Sequence, residues 1–358
     1  MGKTKVLHII DSIGLGGAQK VLEEILRCKS SKIDQQAYAL RERTNQIDIG
    51  EVTIHHSASK YSVVPLLRII KKIQSDRVNI LHCHLFRSQA FGLIVKILFR
   101  DKIMLIFHEH GEIFQGKLLY RLLIWLAKSK VDLFIAVSKA TQQELVDKNN
   151  VGKGKVEVIY NPVNIGADLI KKSRENCYQI GFIGRLDKVK GCDILIKAAS
   201  LLRGLVYKVV IVGDGKEKAR LIALASDLGI AESVKFLGFK NHLSAIYDKL
   251  DLVVIPSRSE SFGISAVEAQ MKGIPVIASR LPALCEVIGH SQGIFFKVGD
   301  ENELANQIIK VSQDTELQKS LAVMGIENAK KFRSELFREK ILSVYQRQLK
   351  LINQLNEG

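Results

Sequence analysis

Two carboxylates, Glu260 and Glu268, lie in the run Pro256-Ser257-Arg258-Ser259-Glu260-Ser261-Phe262-Gly263, which continues to Glu268-Ala269. An apolar run ends at Ile255 and a helix is expected from near Phe262, with Glu260 just ahead of it and Glu268 about two turns in. Both carboxylates can then face one cleft. Ser261, Phe262 and Gly263 would offer backbone N–H groups to an anion or a sugar. Without a ligand, Glu260 would be a charge that complements the helix dipole, and Glu268 an exposed helix residue.

Two cations stand at the end of an earlier apolar run. Gly181-Phe182-Ile183-Gly184-Arg185-Leu186 leads to Lys190-Gly191. Arg can pair with phosphate oxygens in bidentate fashion, and Lys adds a point charge. Flanking glycines leave room for a ligand. Gly14-Leu15-Gly16-Gly17-Ala18-Gln19 is a further glycine turn, whose spacing is neither the dinucleotide fingerprint nor a P-loop. Val212-Gly213-Asp214-Gly215 and Phe236-Leu237-Gly238-Phe239 end two more runs.

His82-Cys83-His84 and His108-Glu109-His110-Gly111 invite a metal reading. We take the two histidines of each pair to point to opposite faces of a strand, so that neither pair chelates. His110 is then expected to reach a cleft and His82 to lie in the core, with His108 an alternative to His110. No Asp-x-Asp occurs, which removes the usual carboxylate clamp for a metal–diphosphate.

The elements that must position these residues alternate between short β-branched runs and helical patterns. Lys5–Ile10 reads as a strand, followed by a helix from about Ala18 to Arg27. Asn79–Cys83, Ile103–Phe107, Val131–Val137 and Lys155–Ile159 continue that series. Tyr160–Lys172 breaks the rhythm and reads as a linker. A second series then runs through Tyr178–Ile183, Val206–Val212, Val234–Leu237, Leu252–Ile255, Pro275–Ala278 and Gly293–Phe296. From Glu301 onward the chain reads as helix. The fold class is α/β, with two doubly wound Rossmann-like domains facing across a cleft. Their expected extents are 1–165 and 166–343, with a helix at about 344–358 packing back on the first.

Composition narrows the class. The 358 residues are 47% hydrophobic and 25% charged, which suits two folded domains rather than a disordered chain. A net charge of +16 calls for an anionic partner, yet aromatics at 6% are sparse for a protein that stacks nucleic-acid bases. The five cysteines are scattered and form no CxxC pair, so a reducing compartment is expected. The opening residues do not read as a secretory signal. The stretch Phe91–Phe107 is too charged to span a bilayer.

Taken together, the motifs resemble those of the family 4 glycosyltransferases, which have the GT-B fold. They are GLGGAQ at 14–19, HEHG at 108–111, VSKA at 137–140, NPVN at 161–164 and GRLDKVKG at 184–191. VGDG at 212–215, FLGF at 236–239, PSRSESFGISAVEA at 256–269 and GIPVIAS at 273–279 complete the set. The resemblance implies retaining transfer of a sugar from a nucleotide diphosphate sugar, with no metal or other cofactor. By the same resemblance, Arg185 and Lys190 hold the diphosphate and stabilise the leaving group, and Gly16 and Gly17 bring N–H groups to it. Glu268 would accept the ribose hydroxyls, and Glu260 those of the sugar, beside the backbone of Ser261, Phe262 and Gly263. His110 would contact the sugar near the reacting carbon, and Phe239 would flank the base.

UDP-sugar is the favoured donor. The expected acceptor is a glycan or lipid-linked glycan of lipopolysaccharide, capsule or another envelope polysaccharide. A nucleotide-sugar 2-epimerase or a phosphorylase of similar build is the alternative, and a basic nucleic-acid-binding protein a distant one. A cytoplasmic location is expected, with peripheral contact at the anionic inner membrane. Residues 1–165 carry 25 Lys+Arg against 15 Asp+Glu. Within them Pro65–Lys72 and Lys117–Lys130 mix apolar residues with cations, and the second holds Trp125. Such segments can lie on anionic lipid. Alternatively, Leu118, Leu122 and Trp125 simply pack on the sheet.

Overall fold

The computed structural model describes residues 3–14, 16–42, 52–54, 62–111, 118–165 and 177–357, with no side chains beyond residue 351. The chain divides into two compact units, Met1–Pro162 with Ser334–Gly358, and Val163–Arg333. The return to the first unit thus begins at Ser334, about ten residues before the expected 344. Part of the expected linker, residues 166–172, lies outside the described residues.

The first unit holds a seven-stranded sheet in the order β3-β2-β1-β4-β5-β6-β7, all parallel. Its strands are β1 (Thr4–Ile10), β2 (Ile33–Ala39), β3 (Val52–Ile54), β4 (Ile80–His84), β5 (Met104–Glu109), β6 (Leu133–Ala136) and β7 (Val156–Val158). Its helices begin with α1 (Gly17–Leu26), α2 (Val64–Asp76), α3 (Phe86–Phe99), α4 (Leu118–Ala127) and α5 (Lys139–Gln143).

The second unit holds a six-stranded parallel sheet in the order β10-β9-β8-β11-β12-β13. Here β8 is Tyr178–Ile183, β9 Tyr207–Val212, β10 Val234–Gly238, β11 Leu252–Ile255, β12 Val276–Ser279 and β13 Ile294–Phe296. Between and after them come α6 (Cys192–Ser200), α7 (Lys218–Asp227), α8 (Ser244–Tyr247), α9 (Ile264–Met271), α10 (Pro282–Ile288), α11 (Glu301–Gln313) and α12 (Thr315–Ala329). The last helix, α13 (Ser334–Glu357), belongs to the first unit.

Every strand expected from the β-branched runs is present. Two more, β2 and β3, were not foreseen. β2 reads IDQQAYA, and its first half carries Asp34, Gln35 and Gln36 where a central strand normally shows apolar residues. By contrast β11 (LVVI) is buried along its whole length, as a strand covered on both faces must be.

Both sheets reverse strand order beside their first strand, at β1/β4 and at β8/β11. Crevices beyond the carboxyl ends at such switch points are where doubly wound sheets take ligands.

On one face of the first sheet, α1 and α13 cover Val6, Ile80, Met104 and Ile106 with Val21, Ile25, Phe337, Ile341, Val344 and Tyr345. On the other, α4 buries Tyr120, Leu123, Ile124 and Ala127. It does not pack Leu118, Leu122 or Trp125 on the sheet: Leu118 is 79% and Trp125 61% exposed. Leu119 and Leu126 are exposed beside them, as are Ile94, Ile97 and Leu98 of α3. No helix among the described residues is long and apolar enough to cross a membrane.

Candidate active site

In the second unit the loops after β8 and β11 are fastened to each other. Asp187 accepts a bond from the Lys190 backbone N–H through Oδ1 at 3.1 Å, which shapes a short helical turn over Lys188–Lys190. Arg258, three residues past β11's end, donates from its backbone N–H to the Val189 carbonyl at 2.7 Å. Its guanidinium also reaches the Lys188 carbonyl at 2.9 Å and both Asp193 carboxylate oxygens at 2.8 Å. Burial pushes the Asp193 carboxyl upward, but the Arg258 bonds outweigh it and hold the group below the usual carboxylate range. Gly191 has φ +68, and a Cβ there would overlap the Pro256 carbonyl, so only glycine lets the two loops meet this closely.

The result of that fastening is an ion pair. Lys190 Nζ lies 2.6 Å from Glu260 Oε2, and Ser257 Oγ donates to the same oxygen at 3.3 Å. Arg185 is exposed and pairs instead with Asp187, Nη2 to Oδ2 at 3.0 Å. Ser261 and Phe262 are buried, and Phe262 packs edge-to-face on Phe332. Its ring belongs to the core, so what it can offer a ligand is backbone. Gly263 is the residue preceding α9, and no side chain caps that helix.

Glu268 is only 5% exposed, not an exposed helix residue, and accepts a bond from Tyr247 Oη at 2.8 Å. Burial and Glu268 together drive the Tyr247 phenol well above its ordinary pKa, so it stays a donor. Phe239, just past β10, is 42% exposed.

In the first unit, Gly16 precedes α1 with extended backbone, and no side chain caps that helix either. Gly17 opens it. The N-terminus therefore presents N–H groups and the positive dipole end.

The histidines correct the expectation that each pair diverges. Residues two apart on a strand share a face. His82 and His84 stack at 4.4 Å between ring centroids, and His108 and His110 at 4.2 Å. His8 on β1 joins them, 5.0 Å from His82 and 5.5 Å from His84. Five imidazoles thus occupy the carboxyl end of the face covered by α13, and Tyr345 Oη reaches His82 Nδ1 at 2.8 Å. Burial depresses all five pKa values, His8 to about 4 and His110 to about 3.

His8, His82 and His84, and likewise His84, His108 and His110, each bring three potential ligand nitrogens within 4.8 Å of one another. Either trio could geometrically hold a transition ion through neutral imidazoles, and no carboxylate among the described residues joins them. His108 is fully buried, whereas His110, just past β5, keeps partial exposure. Glu109 points to the opposite face, where Tyr120 of α4 bonds it, and its Oε1 accepts from the Gly111 N–H at 2.8 Å. That bond shapes the turn carrying His110.

Residues 30–166 match the description Glycosyltransferase Family 4, and residues 168–332 match Glycosyl transferases group 1. The uncharacterized glycosyltransferase MJ1607 of Methanocaldococcus jannaschii is 31% identical over 280 residues, 72% of this chain and 70% of its own. The chain belongs to the family 4 glycosyltransferases. This transferase is an enzyme of the hexosyltransferase type with the GT-B fold class.

The transferase is also 26% identical over 346 residues, 90% of its chain and 94% of the other, to a Campylobacter jejuni protein. That relative is an N-acetylgalactosamine-N,N'-diacetylbacillosaminyl-diphospho-undecaprenol 4-alpha-N-acetylgalactosaminyltransferase. Anabaena HepE, solved in complex with UDP and glucose, shares the fold at a TM-score of 0.84 and 22% identity, over 96% of this chain and 99% of that one.

The sequence reading of the transferase missed Asp187, Asp193, Tyr247, Ser257 and Arg258 as supports. Asp187 lay within the GRLDKVKG motif and Arg258 within PSRSESFG, so position alone could have flagged both.

Proposed function

We propose that the transferase moves a sugar, with retention of configuration and without a required metal, from a UDP-sugar to a lipid-linked glycan of the cell envelope. The observation that carries this reading is the Lys190–Glu260 pair, held by the Arg258–Asp193 clamp at the β8/β11 switch point. Such a pair places a cation for a leaving diphosphate beside an acceptor for sugar hydroxyls. Arg185, exposed at the same loop, adds a second cation, so developing charge on the departing nucleotide is stabilised electrostatically. Glu268, buried with Tyr247, is the acceptor assigned to the ribose. Ser261, Phe262 and Gly263 offer backbone, and Phe239 is assigned to the base.

In the first unit, Gly16 and Gly17 offer N–H groups to an anion, and His110 is assigned to the sugar. A front-face route, in which the leaving phosphate helps deprotonate the acceptor, needs no protein nucleophile. Positioning then carries the catalysis.

The UDP preference draws on HepE, and the lipid-linked acceptor on the Campylobacter relative. Exposed Leu118, Leu119, Leu122, Trp125 and Leu126 on α4, with Arg121 and Lys128 close by, support peripheral contact with an anionic membrane through the first unit.

The reading is tested by thermal shift with UDP, GDP and ADP in the presence of a chelator, followed by product analysis. A ligand that binds the native state alone raises its melting point. UDP should raise it most, and free UDP should appear only when an acceptor is present. Release of UDP with epimerised sugar and no acceptor would favour the epimerase. Loss of transfer in chelator, restored by a divalent ion, would overturn the metal-free reading.

A further inference from the structure

His8, His84 and His110 form a hydrogen-bonded line that begins at an amide of known orientation. Gln35, on β2, spends its Nε2 donors on two carbonyls, Ile25 at 3.2 Å and Cys28 at 2.8 Å. Its Oε1 therefore faces His8 Nε2, 3.2 Å away. A carbonyl oxygen only accepts, so His8 Nε2 carries the proton.

A neutral imidazole has one donor and one acceptor nitrogen. His8 Nδ1 is then the acceptor, and its partner, His84 Nε2 at 3.2 Å, must donate. His84 Nδ1 accepts in turn from His110 Nε2 at 3.1 Å. Burial keeps these rings neutral. Tyr345 agrees with this assignment: its hydroxyl can donate to His82 Nδ1 at 2.8 Å while its oxygen sits 3.5 Å from His8 Nε2–H.

We propose that Gln35, acting through His8 and His84, fixes His110 as the Nε2–H tautomer, with Nδ1 as its acceptor nitrogen. Gln35 is a positioning residue. Which nitrogen of a histidine is protonated is set by the hydrogen bond that the other makes, and here that rule is passed along three rings. The opposite tautomer of any one ring would set two donors or two lone pairs against each other. The assignment of His110 to the sugar rests on the function proposed above; the tautomer does not.

The experiment is long-range 1H–15N correlation on the full chain with 15N-labelled histidine, the His110 signals being assigned by their loss in His110→Gln. In the unsubstituted protein, His110 should show a protonated Nε2 and an unprotonated Nδ1. In Gln35→Met, which keeps the volume but removes the acceptor, that tautomer should give way to a mixture, and kcat should fall about tenfold at little changed KM for the donor.

A protonated His110 Nδ1 in the unsubstituted protein would overturn the proposal. So would a pure Nε2–H tautomer in Gln35→Met. A tautomer that shifts while kcat stays unchanged would remove His110 from the sugar site and leave the imidazole chain standing.

Discussion

Lys190 Nζ and Glu260 Oε2 stand 2.6 Å apart although 70 residues separate them in the chain. Each shields the other's charge, and on the proposed function a donor diphosphate would compete for the ammonium. Lys190→Ala should lower turnover by about 100-fold or more, with an unchanged circular dichroism spectrum. Arg185→Ala should act in the same direction. Near-normal kcat in both variants would remove them from the leaving-group site.

The close meeting of the loops after β8 and β11 can be tested with a methyl group. Gly191→Ala adds a Cβ against the Pro256 carbonyl, so the Lys190 turn must move. Gly204→Ala is the control: φ is +74 there as well, but nothing lies within 4 Å of the added Cβ. Both variants should lose about 1 kcal/mol or more of stability to backbone strain. Only Gly191→Ala should also lose UDP affinity in calorimetry. Equal affinities would show that the loop contact does not shape the site.

The histidine cluster makes stability depend on pH. Burial lowers His8 to about 4 and His110 to about 3, and moves His82, His84 and His108 in the same direction from a starting value of 6.5. Below 6.5 the unfolded chain therefore binds more protons than the folded one. The stabilisation is complete above that pH and is lost as acid is added toward 4. Each such proton contributes about 1.4 kcal/mol per pH unit. Urea melts at stepped pH should show a midpoint falling steeply from pH 6.5 to 4. His8→Phe should flatten that fall, and a midpoint constant from pH 7 to 5 would contradict it.

For the membrane, vesicle flotation is decisive. The protein should float with anionic vesicles and remain behind with neutral ones. Replacing Arg121, Lys128 and Lys130 by Gln should weaken binding about fivefold per cation, at about 1 kcal/mol each. Trp125→Ser should also weaken binding to the anionic vesicles, by removing apolar area rather than charge. Equal recovery on neutral and anionic lipid would remove the electrostatic part.

The sheets were legible because central parallel strands are apolar on both faces, as in β11 and β12. β2 was not, because Gln35 and Gln36 interrupt its pattern. The same polar residue that hid the strand anchors the imidazole chain. Among site residues, local chemistry and motif order marked Lys190 and Glu260, but the bidentate Arg258–Asp193 pair spans 65 positions that no local pattern connects. The histidines were visible as residues but misjudged as geometry, since alternate side chains on one strand share a face rather than divide between two. Tyr345, 263 positions from His82, gave no signal in sequence.

The return of α13 to the first unit has a consequence for biosynthesis. Phe337, Ile341, Val344 and Tyr345 cover the same sheet face as Val6 and Ile80, yet the ribosome adds them only after all of Val163–Arg333 has been made. While the carboxyl-terminal unit already has its whole sequence, the nascent amino-terminal unit waits with that face covered by α1 alone and its imidazoles without Tyr345. The unit synthesised first is therefore the one completed last, and its partly open face is what a chaperone would meet on the emerging chain.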